Sequence, residues 1–365
     1  MTKIHWARPL RALAAAGLAA CAAQPLPNQD LSAEALAAQL QRRPVVLLGE
    51  IHDNAAQHAV RAQALARVLQ AGLRPALAFE QFNRERQADI DRVLSQAPAE
   101  GVDRAAELAA LGGRGWDWDL YRPYLQLALQ YRLPIVAADL SRADAMRVAK
   151  EGFGAVFDAA TQQQLGLDAL PQDLLAAQQQ AVERGHCHQM PTQMLPALAR
   201  AQIARDATLA QAIEPYLQRG VILLTGNGHV RRDIGVPHFL PALQQQRVLS
   251  VALIERDSSD EMPPGAYDVI FLTPVQARKD PCLSLKPMAL TPDPSPAVAG
   301  EGRSGASARN VSASGDDRSR LLLAWGVEKF LPSPACGRGA GGEGRCLPKS
   351  QRVIILAPAN SADEP

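Results

Sequence analysis

Six short apolar runs constrain this chain more than any other feature. They are RPVVLLGE, RPALAFE, LPIVAADL, GVILLTGNGH, RVLSVALIE and YDVIFLTP. Stretches with helical spacing lie between them, such as NAAQHAVRAQALARVLQAG, which stops at Gly72, and DLYRPYLQLALQYR. Buried strands alternating with helices predict an α/β fold, a largely parallel sheet flanked by helices. The long Ala/Gln/Leu-rich stretch from about 142 to 218 carries helical periodicity and no good strand. It predicts a small inserted all-helical subdomain ahead of the fourth strand.

The ends of the chain read differently. MTKIHWARPLRALAAAGLAAC has a basic lead and a short Ala/Leu stretch, the form of an export signal over residues 1–20. It closes on Leu18-Ala19-Ala20-Cys21, the form of a bacterial lipobox, which makes Cys21 the candidate for lipidation. Acyl chains on Cys21 would hold the protein to a membrane, with the body on the periplasmic side. From about 286 to 365 Pro, Gly, Ser and Ala dominate, and LTPDPSPAVAGEG is echoed by LPSPACGRGAGGEG. Such a composition buries too little apolar surface to offset chain entropy, so this tail is expected to be disordered and apart from the fold. The folded body is expected over about 28–285.

With 38 Lys plus Arg against 37 Asp plus Glu, the chain has no charge excess that would favour nucleic acid. Of its five cysteines, Cys187 and Cys282 lie in the body and are candidates for a disulfide.

The strand ends carry the chemistry. The first run ends in Gly49-Glu50 and leads to His52. The second ends in Glu80, the third in Asp139, and the fourth in Asn227-Gly228-His229. In a parallel sheet these ends share one edge, where ligand crevices form. Glu50, His52, Glu80, Asp139 and His229 are therefore expected to converge, with Gly226 and Gly228 keeping bulk away from the mouth. Such a cluster suits a divalent metal or general acid/base work, with at least one Glu titrating above its ordinary range.

The segments LLGEIHDN, AFEQF, GWDWDLYRPYLQLA, LPIVAADLSR, AQIARDATLA and LLTGNGHVRRDIGVP together resemble the ChaN-like haem-binding lipoprotein family. The resemblance covers about 44 to 282 and excludes the tail; Asp139 stands where many relatives have Asn. It implies a homodimer that binds haem in iron uptake at the outer membrane. It also suggests a tyrosine ligand for the iron, which points to Tyr121 or Tyr124. Arg231, Arg232 and His229 could then partner the propionates. No Cys-x-x-Cys-His occurs, so any haem is held non-covalently. The paired Gly-Glu-x-His and Gly-x-Gly-His motifs are similar as well to erythromycin esterase-like hydrolases. In that alternative Glu50, His52, Glu80 and His229 are catalytic.

Overall fold

A computed structural model describes residues 29–97, 100–256, 263–279 and 281–284. All of them belong to one compact unit. The expected signal peptide, Cys21 and the tail beyond 285 lie outside the described residues.

Seven strands form one sheet among the described residues: β1 (Gln29–Asp30), β2 (Val45–Leu48), β3 (Ala76–Asn83), β4 (Ile135–Asp139), β5 (Val221–Leu224), β6 (Val248–Glu255) and β7 (Val269–Thr273). Their order is β1-β7-β6-β2-β5-β3-β4, and every pairing is parallel. The fold is therefore α/β, as the alternating pattern predicts. The two-residue β1 is the strand that the apolar runs do not announce.

Helix α1 (Ala33–Leu40) precedes β2, and α2 (Ala55–Gln70) follows it. Helices α3 (Gln87–Ser95), α4 (Arg104–Ala109) and α5 (Trp118–Gln130) join β3 to β4. Between β4 and β5 lie α6 (Arg142–Glu151), α7 (Ala159–Gln164), α8 (Gln172–Gly185) and α9 (Leu195–Ile213). Helix α10 (Ala242–Gln245) precedes β6, and α11 (Pro281–Ser284) follows β7.

The central strands are apolar on both faces because both faces are covered. Val46, Leu48, Leu77, Phe79 and Leu224 face a core shared with α2 and α5. Val45, Leu47, Ala78 and Leu223 face the opposite core, shared with α6 and α9. Successive residues of a strand point to opposite faces, so each strand serves both cores. Helix α2 is capped at its start by the Asn54 side chain, which accepts from the Gln57 N–H. Beyond its end Gly72 takes a left-handed φ of 98°, the conformation that glycine adopts without strain. Helix α9 packs on the sheet, whereas α8 packs on α9 around a small core of Val182, Met190, Leu195 and Leu198.

Candidate functional site

The period of two along each strand decides which way the strand-end acids point. Glu50 continues the face of Val46 and Leu48, toward α2 and α5. Glu80 continues the face of Ala76 and Ala78, toward α9. Both are only 2% exposed. A single carboxylate cluster therefore does not form. Each acid has its own counter-ion on its own side of the sheet.

On the α2/α5 side, Arg61 is fully buried and makes an ion pair with Glu50; its Nη2 also donates to the Leu48 carbonyl at 3.0 Å. The Tyr121 hydroxyl donates to Glu50 Oε1 at 2.5 Å. His58 lies beneath, its Nε2 3.6 Å from Glu50 Oε2 and 3.0 Å from the His52 carbonyl. The Tyr124 hydroxyl donates to the His58 carbonyl at 3.0 Å. Burial lowers His58 to about 4, which keeps the ring neutral, and pushes the Tyr121 hydroxyl well above its ordinary value.

On the α9 side, Arg205 forks onto Asp139 at 3.0 and 2.8 Å and also donates to Glu80 at 2.9 Å. Glu80 accepts further from the Thr225 hydroxyl at 2.6 Å and the Gly226 N–H at 2.8 Å. His229 stands between two acids, its Nδ1 2.6 Å from Asp206 and its Nε2 3.5 Å from Glu80. Burial works against the His229 cation, but Glu80 and Asp206 outweigh it and raise His229 to about 10. Burial would likewise raise Glu80, but the His229 and Arg205 cations hold it well below the usual carboxylate range. Burial prevails at Asp206, raised to about 6, and at Asp139, also raised. The expectation of a raised Glu is thus corrected at Glu80. The acids held up are two aspartates, because Glu80 takes the larger share of cationic and N–H donors.

His52 joins the two sides. Its Nδ1 lies 2.9 Å from Glu50 Oε1, and its ring packs edge-on against Trp116 at 4.8 Å. Burial lowers its pKa, so the ring is neutral. A carboxylate at Nδ1 requires the proton there, which leaves Nε2 as the free acceptor. That edge faces Gly226, where an added Cβ would come within 2.9 Å of the ring. Gly226 is glycine because His52 occupies the space above it. Gly228 meets nothing within 4 Å, so the mouth-clearing role expected of both glycines belongs to Gly226. Asn227 fixes the turn: its side chain donates to the Leu253 carbonyl at 2.7 Å and accepts from the Leu253 N–H at 3.1 Å.

The other sequence candidates are already engaged by neighbouring groups. Tyr121 and Tyr124 are fully buried with their hydroxyls engaged, so neither presents oxygen to an iron at the surface. Arg231 forks onto Asp233 at 3.0 and 2.5 Å. Arg232 forks onto Asp268 and donates to the Val248 carbonyl at the start of β6, the opposite edge of the sheet from Glu50. Cys187 and Cys282 are joined in a disulfide with Cα atoms 5.7 Å apart. Among the described residues no group of three or more His, Cys, Asp or Glu could hold a metal ion. The expected divalent site at Glu50, His52, Glu80, Asp139 and His229 is absent because Arg61 and Arg205 already occupy the carboxylates.

Four central residues escape the strand-end argument: His58 and Arg61 on α2, and Arg205 and Asp206 on α9. A signal for them exists. They are polar residues at helix positions where the apolar period demands core residues, as the burial of His58, Arg61, Ala64, Leu65 and Val68 shows.

An all-parallel α/β sheet whose carboxyl edge holds two arginine-paired glutamates, one of them in contact with a neutral histidine, defines the class. Residues 36–240, which span β2 to β5 and so the whole crevice, match the family described as "Haem-binding uptake, Tiki superfamily, ChaN", and the chain belongs to that family. No curated protein matches the chain. Among solved structures it is similar to one described as cofacial heme binding to ChaN of Campylobacter jejuni, with TM-score 0.51 and 18% identity, over 66% of this chain and 91% of that one. A type III effector, HopBA1, aligns with TM-score 0.41 and 14% identity, over 69% and 97% of the two chains. The erythromycin esterase EreC in an open conformation aligns with TM-score 0.35 and 12% identity, over 61% and 72%.

Proposed function

We propose that this protein binds haem non-covalently and carries it in iron uptake, lipid-anchored through Cys21 on the periplasmic side of the outer membrane, as a homodimer. The observation that carries this reading is the match of residues 36–240 to a family described by haem uptake. The Cys187–Cys282 disulfide supports an oxidising compartment such as the periplasm. The crevice itself does not suit haem propionates, because its carboxylates would repel them and its arginines are already paired. On this reading the haem lies outside the crevice, and Tyr121 and Tyr124 serve the crevice core. Hemin titration of the soluble body tests the reading: a saturable Soret band is expected, and its absence ends it. Cys21→Ser is expected to move the protein out of the membrane fraction; normal membrane recovery would exclude the anchor.

A second reading rests on one arrangement. Neutral His52, with a free Nε2, lies beside the Glu80–His229–Asp206 chain. A general base next to a buried cation can activate water and stabilise developing negative charge. Hydrolysis of simple activated esters that is lost in both His52→Ala and His229→Gln would support it. Equal rates in the variants and the parent would remove it.

A further inference from the structure

Helix α9 stands clear of the sheet at the crevice end. Its Arg205 and Asp206 meet Glu80, Asp139 and His229 at the carboxyl edge, and the helix ends at Ile213, ahead of the start of β5 at the opposite edge. Leu195 precedes Arg205 by about three turns, so at 1.5 Å per residue the start of α9 rises roughly 15 Å beyond the carboxyl edge. Helix α8 packs against it, and residues 186–194 form the tip of this hairpin. Among the described residues, the tip is held by the small core of Val182, Met190, Leu195 and Leu198. Cys187 and His188 in the tip take left-handed φ of 57° and 55°. Residues with a Cβ are strained in that conformation and keep it where the surrounding structure imposes it.

Residues 274–279 leave β7 and cross the start of α2. The Gln276 side chain donates to the Asp53 carbonyl at 2.6 Å and accepts from the Ala55 N–H at 2.9 Å. Arg278 forks onto Glu255 at 2.8 and 2.7 Å and donates to Asp53 Oδ2 at 3.0 Å. Glu255 also accepts from the Asn54 side chain at 2.6 Å. Asp53 and Asn54 follow directly on His52, whose ring sits over Gly226 in the crevice. Four residues past Arg278, Cys282 is bonded to Cys187 in the hairpin tip, and its carbonyl accepts from the Gln189 side chain at 3.2 Å. Four residues span at most about 14 Å, so the tip is drawn in close to the His52 turn. A covalent strap thus joins the α2 side of the crevice to the α9 side.

We propose that this strap is a redox-sensitive tie on the crevice. The Cys187–Cys282 bond holds the hairpin tip and, through Arg278 and Gln276, the turn that carries His52. Both cysteines are half-buried, within reach of a small dithiol. Such a reductant supplies two electrons and two protons; the S–S bond breaks into two Cys thiols, and the dithiol closes to its own cyclic disulfide. The tip then rests on its small core, the strained residues relax, and the mouth of the crevice widens.

The test follows amide hydrogen exchange in the chain before and after dithiothreitol, and it needs no ligand. Reduction is expected to speed exchange by about tenfold or more across residues 186–194 and at the Ala55 N–H, and to leave the β2 and β5 amides protected. Cys282→Ser should exchange like the reduced parent and ignore dithiothreitol. Arg278→Ala should speed exchange at Ala55 in the oxidised chain while the tip stays slow, which separates the hold on the turn from the bond itself. Faster exchange at the tip alone overturns the proposal, since the bond then braces the hairpin and nothing beyond it. Unchanged exchange throughout, or slow exchange at Ala55 in Arg278→Ala, overturns it as well. So does loss of protection in β2 and β5, which makes the bond a staple of the whole fold.

Discussion

His229 Nδ1 and Asp206 Oδ1 lie 2.6 Å apart behind the carboxyl edge of the sheet, with Glu80 3.5 Å from the other ring nitrogen. Three elements, α9, β3 and the turn after β5, thus meet on one imidazole. The stability of the whole edge is linked to the protonation of that ring.

The linkage has a definite sign. His229 is raised from 6.5 to about 10, so the folded state binds more protons than the unfolded state across that window. Its contribution is complete below about pH 6.5 and is lost as pH rises toward about 10. His58 is lowered to about 4, so its contribution is lost as pH falls from 6.5 toward about 4. The thermal midpoint should therefore fall as pH rises from about 6.5 to about 10, whereas on the acid side the loss at His58 is opposed by Asp206, whose raised pKa of about 6 favours the folded state as pH falls. In His229→Gln the alkaline limb should flatten, and an unchanged alkaline limb would contradict the assignment.

Arg205 is the counter-ion of both Asp139 and Glu80. Arg205→Met strands two buried carboxylates, and breaking a buried pair in this way costs about 3–5 kcal/mol. Urea unfolding should show a loss of that order. A loss within that of an exposed pair such as Arg86–Asp89 would mean that the crevice is wet.

Gly226 and Gly228 separate cleanly under one methyl. Gly226→Ala presses on the His52 ring and should cost about 1–3 kcal/mol, the range for overpacking. Gly228→Ala meets open space and should change stability little. Thermal unfolding of the two variants side by side measures the difference, and equal midpoints would show that His52 yields freely.

Tyr121→Phe removes the hydroxyl that donates to Glu50 and should destabilise by about 1–3 kcal/mol, since a buried carboxylate loses a partner. Hemin spectra of Tyr121→Phe and Tyr124→Phe should match the parent. A lost or shifted Soret band in either would put the iron on that helix.

The sheet was legible because its strands are buried on both faces and so read as unbroken apolar runs. RPVVLLGE and GVILLTGNGH announce β2 and β5 directly. β1 was not legible, because two residues of edge strand carry no period and are set by pairing with Phe271 and Leu272. The site was half legible. Strand order puts Glu50, Glu80, Asp139 and His229 at one edge, but the face that each acid takes depends on its distance from the strand's core residues. That parity sends Glu50 to Arg61 and Glu80 to Arg205. The tyrosines of α5 misled because an aromatic hydroxyl reads the same whether it waits for a ligand or fastens a core carboxylate.

The Cys187–Cys282 bond closes a covalent ring that contains β5 and β6, the two strands on either side of β2. β2 itself lies outside that ring in sequence. β2 thus reaches the middle of the sheet by pairing alone, flanked on both sides by strands of the ring and tied to neither by a covalent bond.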